Sequence, residues 1–119
     1  MSLKLVSLAS GSKGNATLIL SNSTAILVDA GISFTRISSA LSEFGLKPND
    51  VDGVVITHEH SDHIAGLFKL SSYTKVYVHP LTARAICNKM DVKNVTDVAD
   101  YEGGFKIGDI DVEPFRIPH

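Results

Sequence analysis

The first thirty residues read as three short apolar segments separated by polar turns: Leu3 to Ala9, Thr17 to Leu20 and Ala25 to Val28. Each is rich in Leu, Ile or Val and bounded by Ser, Gly or Asn, which is how short β-strands read. Ser10-Gly11-Ser12-Lys13-Gly14-Asn15 makes the first turn and Ser21-Asn22-Ser23 the second, so three strands precede any helix. The period then changes. After Asp29-Ala30-Gly31, the apolar positions Ile37, Ala40, Leu41 and Phe44 recur at helical spacing, with Ser33 as the cap and Gly45 as the stop. Pro48 to Gly53 is a polar connector into a strand over Val54 to Thr57. Ile64 to Leu70 predicts a short helix, Lys75 to Val78 another strand, and Pro80 the first turn of a helix through Cys87. Gly103-Gly104 breaks the chain, after which Phe105-Lys106-Ile107 and Ile110 to Phe115 predict a hairpin around Gly108-Asp109. From the third strand on the order is βαβαβα, an α/β (α+β) class, with no internal repeat or interdomain linker.

Composition narrows this picture. At 119 residues, 44% hydrophobic and 20% charged, the chain supports one domain with a modest core. Met1-Ser2-Leu3 leads directly into an apolar strand, with no basic region, long apolar segment or cleavage site, which argues for a cytoplasmic protein without membrane insertion. Cys87, the only cysteine, excludes an internal disulfide and a cysteine zinc cluster, and is expected to be a buried small hydrophobe. The net charge of −2 gives no general attraction to nucleic acid, although bound divalent ions would reverse the sign locally. Lys13, Arg36, Lys69 and Arg84 are scattered basic positions. The Ser10 to Asn15 turn lacks the Gly-Lys-Ser/Thr ending of a phosphate loop and leads into a strand, so its glycines are read as turn formers.

The chemistry concentrates in His58-Glu59-His60-Ser61-Asp62-His63, directly after the apolar run Val54-Val55-Ile56 and Thr57. Side chains two apart on an extended segment point the same way, so His58 and His60 can chelate one ion. Asp62 and His63 lie where the chain turns into the next helix, and can address a second position. Imidazole and carboxylate donors suit zinc, manganese or iron. Two ions roughly 3.5–4 Å apart would clamp a phosphodiester or carbonyl and activate a hydroxide between them, which is hydrolytic chemistry. Glu59 alternates away from the ligands and is read as solvated or as support to them. His79, before Pro80, reads as a helix cap or an exposed residue.

The Thr-His-Glu-His-Ser-Asp-His run resembles the His-x-His-x-Asp-His signature of metallo-β-lactamase-fold hydrolases, and Asp29-Ala30-Gly31 resembles that family's first motif. The segments Leu8 to Asn15, Ile26 to Gly31 and Ile107 to Phe115 look most like the YycJ (WalJ) branch. The resemblance implies an αββα sandwich with two divalent metal ions, Zn or Mn, at one edge. It implies that His58, His60 and His119 hold the first ion and Asp62 and His63 the second, and that Asp62 orients the attacking water. Asp29 would be a buried carboxylate orienting the ligands without touching metal.

The family domain is about twice as long, so residues 1–119 are expected to form the N-terminal half of one sandwich, with the second site incomplete and one sheet face open. An open face of that kind exceeds what monomers expose and predicts a homodimer through it. The branch implies a phosphodiesterase or exonuclease acting on nucleic acid. Hydrolysis of a small thioester, lactone or β-lactam is the alternative enzyme class, and a non-catalytic metal-binding or interaction fragment is the non-enzymatic one.

Overall fold

The computed structural model describes residues 3–98 and 104–113. Six strands form one sheet: β1 (Lys4–Ala9), β2 (Ala16–Leu20), β3 (Ala25–Val28), β4 (Gly53–Val55), β5 (Val76–Val78) and β6 (Val95–Asp97), lying side by side in chain order. The first two pairings are antiparallel hairpins, and the remaining three are parallel. Parallel neighbours need crossovers. These are α1 (Phe34–Ser42), the pair α2 (Ser61–Ile64) and α3 (Leu67–Leu70), and α4 (Pro80–Cys87). Successive crossovers of one hand, in one direction across the sheet, put every helix on the same face.

That face holds the main core. Leu18, Leu27, Val54, Val76 and Val78 from the strands pack against Ile37 and Leu41 of α1, Ile64, Leu67 and Leu70 of α2 and α3, and Ile86 of α4, all essentially excluded from solvent. The alternation predicted for the strands explains the choice. Leu5, Ile19 and Ile26 are paired across β1 to β3 and so share the opposite face. A second small cluster forms there, where the hairpin β7 (Phe105–Ile107) and β8 (Ile110–Val112) lays Ile107 and Ile110 on Ile26 and stacks Phe105 on Tyr77. Gly53 permits the approach, since a Cβ there would meet Tyr77 and Ile107. The expected open face is therefore partly covered by the chain itself. What stays exposed is at the β1 edge, with Leu3 at 52% and Leu5 at 68%.

The helix boundaries follow local chemistry. The Ser33 hydroxyl accepts from the Arg36 backbone N–H at 3.3 Å and caps α1, and Gly45 takes the left-handed conformation that ends it, at φ 73°. Five points differ from expectation. In place of one helix over Ile64 to Leu70 there are two four-residue helices, Ser61–Ile64 and Leu67–Leu70, because the bond that would continue the turn is replaced by two tertiary ones: Gly66 N donates to Ala30 O at 2.8 Å, and Asp62 O accepts from Asn15 N at 2.7 Å. A Cβ on Gly66 would also collide with the Ile32 carbonyl. The strand read as Val54 to Thr57 is ladder-paired only over Gly53–Val55, and the Pro48 connector contains a 3₁₀ turn at Pro48–Asp50. Strand β6 was not foreseen. Cys87 is exposed, not buried, because it ends α4 on its solvent side while Ile86 takes the core position. Of the predicted Ile110 to Phe115 segment, residues 114–115 lie outside the described residues.

Candidate metal centre

The site forms where the parallel strands end on the side from which the helices start. Beyond Val55 the chain stays extended, with Ile56 N donating to Tyr77 O at 3.0 Å, and then passes over the end of β3. Asp29 waits there. It is 5% exposed, holds a left-handed backbone at φ 65°, and is tied to the neighbouring strand by Asp29 N to Val55 O at 2.8 Å. A non-glycine residue in that region is uncommon outside Asn and Asp, and is found where surrounding contacts hold it.

Three donors converge on the Asp29 carboxylate. Thr57 N donates to Oδ1 at 2.8 Å, the Thr57 hydroxyl to Oδ2 at 2.7 Å, and His63 Nδ1 lies 2.7 Å from Oδ2. An acceptor-only carboxylate requires the proton on His63 Nδ1, leaving Nε2 with its lone pair. The consequence extends one residue further. The Thr57 hydroxyl has given its proton to Asp29, so at 3.0 Å its oxygen is the acceptor for His58 Nδ1–H, and His58 Nε2 is unprotonated too. One buried carboxylate thus sets two imidazoles in the tautomer a metal ligand needs.

The rings face one another. His58 and His60 have centroids 6.0 Å apart and planes within 21°, and His58 and His63 are 4.8 Å apart. Two imidazoles sharing one ion, with Nε2 to metal about 2.0–2.1 Å, have ring centres about 5 Å apart, a spacing that His58 and His63 match and that His58 and His60 exceed. His60 is the extended residue before α2, at φ −67° and ψ 148°, with no capping bond of its own, and it is exposed. Asp62 and His63 occupy the first turn of α2, with Asp62 Oδ2 3.8 Å from His63 Nε2. Among the described residues, no group of three or more His, Cys, Asp and Glu side chains closes into a cage for an ion. His119 lies outside the described residues.

Two contacts that shape the loop have no signature in the His-x-His-x-Asp-His pattern. Lys89 Nζ donates to Glu59 O at 3.1 Å, and Asn15 bonds both the Asp62 carbonyl and its carboxylate. His79 is engaged elsewhere, capping α4 by accepting from Leu81 N at 3.1 Å. Lys13, Arg36, Lys69 and Arg84 are all exposed. Among the described residues no helix is long and apolar enough to cross a membrane.

Comparison with known proteins shows the family. The Metallo-beta-lactamase superfamily model matches residues 9–115. Exodeoxyribonuclease WalJ of Streptococcus pneumoniae is 39% identical over 118 residues, covering 94% of this chain and 44% of that protein. Exodeoxyribonuclease YycJ of Bacillus anthracis is 36% identical over 126 residues, covering 100% of this chain and 47% of that one. The chain therefore spans about half the length of these curated relatives. Among solved structures, the Rm3 metallo-beta-lactamase superposes with a TM-score of 0.70 at 23% identity, over 88% of this chain and 45% of that one, which is a likeness of fold.

Proposed function

The chain belongs to the metallo-β-lactamase superfamily, as the N-terminal part of its mixed sheet-and-helix sandwich, and on that premise we propose that it is part of a metal-dependent phosphodiesterase that degrades nucleic acid from an end. The observation that carries the reading is the relay from His58 through Thr57 to Asp29 and back to His63, which presents two Nε2 lone pairs on one side of the sheet edge. The substrate class is taken from relatives named as exodeoxyribonucleases.

In this reading His58, His60 and His119 hold one divalent cation and Asp62 with His63 a second, zinc or manganese in both cases. Bound there, the ions would supply Lewis acidity and bring the pKa of a water toward neutrality. The chain's own groups do the rest. Asp62, half-exposed at the head of α2, accepts a hydrogen bond from the attacking water and aims it at phosphorus. Asp29, buried and fully bonded, keeps His63 from turning away. The reaction is placed in the cytoplasm, where such a substrate is found. At the β1 edge, Leu3 and Leu5 offer the strip through which a second copy would pack, and sedimentation of a strict monomer would remove that part of the proposal.

The test is incubation of the chain with an end-labelled or nicked DNA duplex and manganese, beside a His60→Ala control. Metal-dependent release of label by the wild type alone is expected. Equal background in both would mean that this chain does not turn over the substrate and would remove the enzyme reading for it.

A further inference from the structure

The Ser10 to Asn15 turn does more than join β1 to β2. It folds back so that Asn15 N donates to the Asp62 carbonyl at 2.7 Å, while Asn15 O accepts from Gly31 N at 2.8 Å. Its side chain bridges the same parts. Nδ2 lies 3.2 Å from Asp62 O, 3.4 Å from Asp62 Oδ2 and 3.0 Å from Gly11 O, and Oδ1 accepts from Gly11 N at 3.1 Å. The fit is close on all sides, since a Cβ on Gly31 would run into the Asp62 carbonyl and one on Gly14 into the Gly31 carbonyl. Asn15 is thus half-buried between the first turn, the end of β3 and the head of α2.

We propose that Asn15 is a positioning residue for the Asp62 carboxylate, selecting the orientation in which Asp62 faces His63. The inference rests on the metal reading above. Free in solution, an aspartate in the first turn of a helix samples several χ1 and χ2 states, including one that turns back to cap the helix N–H groups. Asn15 opposes this by offering an amide donor to Oδ2, and its Nδ2 cannot act as an acceptor that would compete for a cation. The same Oδ2 that Asn15 approaches lies 3.8 Å from His63 Nε2, a gap into which an ion fits when the two donors adjust by tenths of an ångström. Asn15 does not touch the reacting atoms. It acts through Asp62.

A double-mutant cycle reads this directly, with Co(II) alone as the probe and its visible d–d absorption as the signal. Asn15→Ala and Asn15→Asp are each made in the wild-type chain and in Asp62→Ala. The Asp variant keeps an acceptor for Gly11 N but loses the donor to Asp62, so it separates loop closure from carboxylate positioning and serves if the Ala variant does not fold. Co(II) affinity is expected to fall about 10- to 100-fold with a changed spectrum when either substitution is made in the wild type, the range typical of losing a partner that orients a ligand. In the Asp62→Ala background the same substitutions are expected to change nothing further. Equal losses in both backgrounds would mean a general structural role and would overturn the proposal, as would no loss in either. Absence of Co(II) binding by the wild type, and equally by His60→Ala, would overturn the metal reading itself and this inference with it.

Discussion

Replacing Asp29 by Asn changes one atom's chemistry and should release His63 from its anchor without unfolding the chain. The carboxylate accepts three hydrogen bonds at 2.7–2.8 Å from Thr57 N, the Thr57 hydroxyl and His63 Nδ1. Asn still accepts the first and tolerates the φ of 65°, so the backbone can stay. It must then point an amide N–H₂ at the other two groups. Hydrogen bonds to a charged acceptor contribute about 1.5–3 kcal/mol each and neutral ones about 1 kcal/mol. Two downgraded bonds therefore cost about 1–4 kcal/mol, which a urea midpoint resolves. The functional effect is larger. An N–H aimed at His63 Nδ1 calls for a lone pair there, so the ring proton moves to Nε2, the atom that the proposal gives to the metal. Long-range ¹⁵N–¹H correlations on the metal-free chain should show His63 protonated at Nδ1 in the wild type and at Nε2 in Asp29→Asn, with cation affinity lower by about 10- to 100-fold. If His63 keeps its Nδ1 proton and the cation binds as before, the relay from Asp29 is not what sets this site.

Gly31→Ala places a methyl against the Asp62 carbonyl and the Asn15 amide, and should cost about 1–3 kcal/mol as an overpacked contact, read by chemical denaturation. Asp109 is held below the ordinary aspartate range chiefly by the Ser21 hydroxyl at 2.5 Å, with Thr24 adding to it. A depressed folded pKa favours the folded state above the unfolded value, so this latch on the hairpin is intact above about pH 4 and is lost as pH falls through the lower folded value. The stability difference between wild type and Ser21→Ala should accordingly shrink in that acid window to what the Ser21 bonds from Ser23 N and Thr24 N leave, and a constant difference would contradict the sign. Cys87, exposed at the end of α4, should react fully with a thiol reagent in native buffer at the same rate in wild type and His60→Ala.

Much of this architecture is legible in the chain because local and tertiary demands agree. The three opening strands, the Ser33 cap and the Gly45 stop each follow from side chains within a few residues, and the structure has them. The grouping of His58, His60 and His63 follows from alternation and a turn, although their roles toward metal stay part of the proposal. Three of the failures share a physical origin. Ile64 to Leu70 has an unbroken helical pattern, and nothing local reveals that Asn15 and Ala30, far back in the chain, take the backbone groups that would have continued it. Asn15 itself reads as a turn residue, and its bonds to Asp62 span 47 positions. Val95–Asp97 is too short for a pattern, and it becomes a strand only because the β5 edge offers it partners.

The sheet places its strands side by side in the order in which they are made. Each strand therefore finds its neighbour already present, and none must wait for a distant segment to be inserted between two others. Assembly can then proceed as accretion from the amino terminus, and Asp29, Thr57 and His63 meet as soon as the fourth strand docks, before the fifth and sixth have been added. Pulse-labelled amides of Leu18 and Leu27 should accordingly become protected ahead of those of Val76 and Val95. Simultaneous protection would show that the sheet closes all at once.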